Sequence, residues 1–123
     1  MDARTLARRT AVVRACYGAI LTVATKPMLR AMLPGEEPSG SFVLFARSLG
    51  IRNLVFGAAA LRAGSDARRW TAAWLVSDVL DSAAGFLGAG LVGRRGARVA
   101  ALVPVPFIVA GIATLRGLSV RPR

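Results

Sequence analysis

The sequence predicts an all-α fold, a four-helix transmembrane bundle running up-down-up-down with both termini cytoplasmic. Three observations carry that expectation. Hydrophobic residues make up 54 % of the 123 residues, above the roughly 45–50 % usual for soluble domains. Seventeen basic residues against six acidic ones give a net charge of +11, yet these charges bunch at the borders of four apolar runs instead of spreading over a surface. The runs approach the ~20 residues, in a range of about 17–25, that a helix needs to cross a bilayer core. A disordered basic tail would be poor in Leu, Val and Phe, in which this chain is rich. At this length one membrane domain, residues 1–123, accounts for the whole chain.

The first run lies between Arg9 and Lys26, sixteen residues interrupted only by Arg14. It predicts a helix over about 10–25, short enough that it must either tilt little or let Arg14 snorkel. Lys26-Pro27 should end it, because the residue before proline disfavours the helical region. The loop Pro34-Gly35-Glu36-Glu37-Pro38-Ser39-Gly40 is dense in turn formers, and Ser41 can cap the second helix. The second run, Phe42 to Leu61, has twenty residues and holds Arg47, Arg52 and Asn53; it predicts a helix over 42–62. Ala63-Gly64-Ser65-Asp66 reads as a tight turn. The third run, Trp70 to Gly93, has twenty-four residues with Asp78 and Asp81 inside it, and predicts a helix over 70–92 whose Trp70 and Trp74 start at an interface. Arg94-Arg95-Gly96 reads as another turn. The fourth run, Val99 to Leu115, has seventeen residues and no charge; it predicts a helix over 99–116, with Pro104 and Pro106 loosening its outer third. The runs are continuous, without the polar stripe of a half-exposed soluble helix.

Orientation follows the basic residues. With the N-terminus inside, the inner segments carry Arg4, Arg8, Arg9, Arg14, Arg62, Arg68, Arg69, Arg116, Arg121 and Arg123, ten in all, against five outside (Lys26, Arg30, Arg94, Arg95, Arg98). The expected location is the inner (plasma) membrane, multi-pass. The basic start followed by an apolar run also fits a signal peptide, but no small-x-small cleavage site precedes Lys26. With no His and one Cys, Cys16, histidine-based triads, histidine zinc sites, internal disulfides and iron–sulfur clusters are excluded. No metal and no cofactor is expected.

The informative charges lie within the runs. Facing lipid, each of Arg47, Arg52, Asp78 and Asp81 would cost about 2.5–3.5 kcal/mol, so they should face inward and pair. At about 1.5 Å per residue, Arg52 lies roughly 15 Å and Asp81 roughly 16 Å from the inner turn, which brings them level; Asp78 is at roughly 12 Å and Arg47 higher, at roughly 22 Å, able to reach down toward Asp81. Asp78 and Asp81 share one helix side with Trp74, and Tyr17 comes near the level of Asp78. A stripe of mostly small residues, Gly50, Asn53, Gly57, Ala60 and Gly64, would let a second helix approach closely.

The run Ala46-Arg47-Ser48-Leu49-Gly50-Ile51-Arg52-Asn53-Leu54-Val55-Phe56-Gly57, then Arg69-Trp70, then Asp78-Val79-Leu80-Asp81, resembles a pattern in small four-helix membrane proteins of high-GC bacteria, loosely DoxX-like. The resemblance covers roughly residues 42–90. It implies a four-helix integral membrane protein with Arg47, Arg52, Asp78 and Asp81 as one unit, and it brings no assigned reaction. The expected function is binding or handling of a lipophilic small molecule at the Arg/Asp cluster. One alternative is a membrane enzyme without cofactor, using Asp78 and Asp81 as acid and base with Arg52 beside them to open, cyclise or isomerise a hydrophobic substrate. Arg47, Asn53, Tyr17 and Trp74 would then contact the substrate. Another alternative is a structural module with the cluster as a helix-docking clasp. The expected partners are the lipid bilayer, a hydrophobic small molecule and a second copy of the chain, and no nucleic acid.

Overall fold

Asp2 begins the first helix: its carboxylate accepts from the Thr5 backbone N–H at 2.8 Å and from the Thr5 hydroxyl at 2.9 Å. Helix α1 runs Ala3–Val23 and is followed by α2, Thr25–Met32; α3, Gly40–Arg62; a short 3-10 turn, Gly64–Asp66; α4, Ala67–Leu87; α5, Ala89–Leu102; and α6, Val105–Ser119. These elements belong to a computed structural model that describes residues 1–119; Arg121 and Arg123, two of the charges expected inside, lie outside the described residues. The two bonds from Thr5, backbone first, hold the Asp2 carboxyl below its ordinary value of 3.8. A lowered carboxyl stabilises the folded state above that ordinary value and loses its contribution as the pH falls through the folded one. Protection of the Thr5 amide against hydrogen exchange is therefore expected to persist as the pH falls past the ordinary value of 3.8 and to fail only below it, at the lower folded value. An Asp2→Asn variant should show no such transition.

Several boundaries differ from expectation, each for a local reason. The first helix breaks at Ala24 (φ −113°, ψ 42°), not at Lys26-Pro27. Pro27 falls in the first turn of α2, where a missing N–H leaves no bond unmade. Ser39, not Ser41, caps α3, its hydroxyl accepting from the Phe42 N–H at 3.2 Å. Arg94, Arg95 and Gly96 are helical, and the bend lies at Gly93, whose φ of 75° suits glycine. The fourth apolar run is not one helix: α5 stops at Leu102 and α6 starts at Val105, because Pro104 has no N–H to continue the ladder.

The chain folds back and forth. Glu36 and Arg95, 3.5 Å apart, mark the far end; Arg68 donating to Ser119 at 3.1 Å marks the near end, where α1 begins. Helix α1 lies antiparallel on α3 at backbone contact. A Cβ on Gly50 would come within 2.8 Å of the Thr22 N, and one on Gly57 within 2.6 Å of the Ala15 N. The small-residue stripe of α3 is thus filled by α1, while Gly64 has left the helix with φ 50°. Helix α4 packs on α5 and α6: Gly85 abuts Ala100 and Ala101, and Gly111 abuts Trp74 and Leu75. Helix α6 closes on α1 through the Tyr17 and Phe107 rings, 5.7 Å between centroids. Helices α3 and α4 meet at few points, among them Phe56 edge-on to Trp70 at 6.2 Å.

The interior combines an apolar cluster, Leu21, Leu29, Leu33, Phe42, Val43 and Ala46, with faces that are small and polar. They include Thr10, Ala11, Arg14 and Gly18 on α1, Ala46, Gly50, Asn53 and Gly57 on α3, and Thr71, Trp74, Asp78 and Gly85 on α4. Large apolar side chains such as Val13, Leu44, Val55, Leu80, Phe86, Leu91 and Val109 are exposed on the outside. By length and composition two helical stretches could cross a membrane, Gly40–Arg62, whose most apolar 18 residues have mean hydropathy 1.3, and the bent stretch Ala89–Ser119, whose most apolar 18 have 1.9. Helices α1 and α4 carry the interior charges Arg14, Asp78 and Asp81, which lower their hydropathy.

Candidate functional site: a buried Arg/Asp cluster

Arg14 lies at the centre of the bundle. Its side chain is 0 % exposed. The stripe on α1 alternates at three and four residues, Ala7, Ala11, Arg14, Gly18 and Leu21, so the neighbours one turn away in either direction are small and leave room for a guanidinium. Nη1 donates to Asn53 Oδ1 at 2.5 Å and to Asp78 Oδ1 at 3.1 Å, and Nη2 donates to Asp78 Oδ2. The guanidinium carbon lies over the Phe107 ring at 4.6 Å and the Trp74 ring at 5.1 Å, both faces that attract cations. Asn53 is itself oriented by donating Nδ2 to the Leu49 carbonyl at 2.9 Å. One arginine therefore ties α1 to α3, α4 and α6. Its Nε alone has no partner.

The second pair lies toward the α3–α4 seam. Arg52 Nη1 donates to Asp81 Oδ1 at 2.8 Å and Nη2 to Asp81 Oδ2. The pair is more open than the first, with side-chain exposures of 30 % and 14 %. Both carboxylates are thus held bidentate, the geometry that suits a planar guanidinium best.

The cluster differs from the expected set in one member. Arg47 joins neither carboxylate; it is exposed, and its Nε donates to the Thr25 hydroxyl at 3.3 Å. Its place is taken by Arg14, which does not snorkel outward. Arg14 is the single charge inside the first run, and a charge there needs a partner as much as Asp78 does. The first run has no preceding turn from which its depth can be counted, as the second and third have. The net charge of the cluster is still zero, two arginines with two aspartates, but it spans α1, α3 and α4 instead of lying between two helices.

Of the remaining predicted residues, Asn53, Tyr17, Asp78 and Asp81 line one cavity of about 50 Å³ with Phe107 and Pro104. Trp74 is 1 % exposed and lies under Arg14, outside that cavity. A water needs about 10–15 Å³ of such space, so the cavity takes a few waters or one slender chain. It continues toward the far end as a groove of about 350 Å³ between α3 on one side and α4 and α5 on the other. The two share Phe42, Phe45 and Ala100, and the groove is otherwise walled by Gly85, Leu91 and Val92, among others. No metal-holding group of three or more His, Cys, Asp or Glu occurs among the described residues. No protein-family model, curated protein or solved structure matches the chain.

Proposed function

We propose that the chain is a multi-pass membrane protein, with its near end cytoplasmic, that binds a lipophilic molecule in the cavity beside the ion-paired cluster. The carrying observation is the pairing of an apolar exterior with buried charge: many large apolar side chains face outward, while Arg14, Asp78, Asn53 and four threonines are buried beside the apolar core. Soluble domains rarely expose contiguous apolar surface on this scale, and in lipid the buried charges are confined to the bundle interior. On this reading α1 and α4 also span, their hydropathy lowered by charges that are neutralised in pairs. The resemblance to DoxX-like proteins belongs to the same reading.

The ligand's chemistry follows from the walls. Leu21, Leu49, Val103 and Phe107 suit a single hydrocarbon or isoprenoid chain, and the Tyr17 hydroxyl and Asp81 carboxylate suit a hydroxyl or amide at its end. The groove between Phe42, Phe45 and Gly85 supplies a lateral path from the outer half of the bilayer. Acid–base catalysis is the less supported reading, because each carboxylate is occupied by its own guanidinium. The purified protein in lipid nanodiscs is expected to bind a fluorescent polyene alcohol. Leu49→Phe, which fills the cavity, should weaken binding at least tenfold, a loss of about 1.4 kcal/mol. Leu87→Phe, on the exposed surface, should leave it unchanged. Equal binding by both variants sinks the cavity as the site, and recovery of the protein in the soluble fraction after alkaline extraction sinks the membrane reading.

A docking clasp is favoured by a different observation, the complete burial of the Arg14–Asp78 pair. Paired apolar replacement of these two residues separates the clasp from the binding site.

A further inference from the structure

A second cavity, of about 240 Å³, opens at the near end between the start of α1, the end of α3 and the start of α4. Arg4 and Arg8 form its cationic wall; Ala60, Leu61, Ala67 and Trp74 form its apolar walls. The arginines are one helical turn apart and therefore present their guanidinium groups on one face. Both are exposed, and among the described residues neither forms an ion pair. Asp78 and Asp81 are taken by Arg14 and Arg52, and the two exposed carboxylates at this end, Asp2 and Asp66, form no ion pair with Arg4 or Arg8 among the described residues. Trp74, buried beneath Arg14, stands between this cavity and the cluster, so the two sites are separate compartments of one bundle.

We infer that this near-end cavity is a binding site for a phosphate group, with Arg4 and Arg8 as its ligands. Two guanidinium forks a turn apart can share the several oxygens of one phosphate, each through charge-assisted hydrogen bonds. The apolar walls suit the glycerol and first acyl carbons next to a phosphodiester, which a free phosphate would leave uncovered. The inference rests on the membrane reading, under which the near end lies at the headgroups of the inner leaflet, where basic pockets between helices meet anionic lipid. It does not depend on the lipophilic ligand of the first cavity. Not every basic residue at this end is equivalent: Arg9, Arg62, Arg69 and Arg116 are exposed and line no such cavity.

The test compares three proteins, purified in detergent and then exchanged into nanodiscs of phosphatidylcholine with a minor share of phosphatidylglycerol. They are the native chain, Arg4→Gln/Arg8→Gln, and Arg94→Gln/Arg95→Gln at the far end. Native mass spectrometry reads the phosphatidylglycerol retained after release. The native chain and the Arg94/Arg95 variant are expected to retain it, and the Arg4/Arg8 variant to lose it at least fivefold. A parallel arm adds inorganic phosphate: displacement of the lipid at millimolar concentration would assign the site to free phosphate, and no displacement assigns it to the headgroup. Equal loss in both variants overturns the inference, because net charge alone then attracts the lipid. Equal retention by all three proteins overturns it as well. Binding of the polyene alcohol, measured on the same samples, reports on the first cavity, so failure of one site is distinguished from failure of the other.

Discussion

Asp78→Leu is expected to lower the unfolding free energy by about 3–5 kcal/mol, because it leaves the fully buried Arg14 without a counter-charge. Arg14→Met should cost a similar amount by stranding the carboxylate. The double variant Arg14→Met/Asp78→Leu removes both charges and fills the space with hydrocarbon, and should return most of the loss. Unfolding in mixed micelles with increasing denaturing detergent measures all four corners of this cycle, and the coupling shows as strong non-additivity. If the single variants are as stable as the native chain, the guanidinium and carboxylate are not buried partners. The restored double variant then decides between the two functional readings. A clasp needs only the docking, so its polyene binding should match that of the native chain. A binding site built around the cluster should lose affinity even though the fold has recovered. Breaking the second pair by Arg52→Gln leaves Asp81 without its counter-charge at the same depth and should cost about 2.5–3.5 kcal/mol.

Gly18→Leu is expected to be the other severe substitution. Even a single Cβ at this position would come 2.5 Å from the Gly50 carbonyl oxygen and 2.9 Å from the Asn53 carbonyl carbon. These are backbone atoms and cannot rotate away, so α1 and α3 must separate. Overpacking of this kind costs typically 1–3 kcal/mol, and contact with backbone puts the loss near the upper figure. Separation would also draw Asn53 away from Arg14, which coupled thermal unfolding and near-ultraviolet dichroism would register together. The contrasting variant is Gly90→Leu, where nothing lies within 4 Å of an added Cβ; stability should change little. Similar losses at both positions would contradict the close approach of the two helices.

The helical character of the chain was legible because long apolar runs bounded by Arg, Pro and Gly leave few other structures. The level match of Arg52 and Asp81 was legible too, since a short turn between two antiparallel helices fixes the depth arithmetic from one shared origin. Arg14 was not: the first run begins without a turn to count from, and a lone arginine near a helix end fits snorkelling as well as burial. Arg47 failed for the opposite reason. Depth alone allowed it to reach Asp81, but its azimuth on α3 points it to Thr25. The single fourth helix failed because hydropathy sees composition and not the hydrogen-bond ladder, which Pro104 breaks. Which helix receives the stripe of α3 was likewise unreadable, because Gly18 and Gly85 offer small surfaces on two different helices.

The thin contact between α3 and α4 has a consequence for biogenesis. The chain divides at the exposed turn Gly64–Asp66 into an amino-terminal half, α1 to α3, and a carboxy-terminal half, α4 to α6, each with extensive internal packing. During synthesis the first half is complete before Asp78 has been made, and in that interval Asn53 is the only one of Arg14's hydrogen-bonding side-chain partners that exists. A half-built bundle thus carries an unanswered positive charge inside it, which the arrival of the second half neutralises. The docking of the two halves is thereby coupled to translation: the earlier half remains a poor final state until the later one has packed against it.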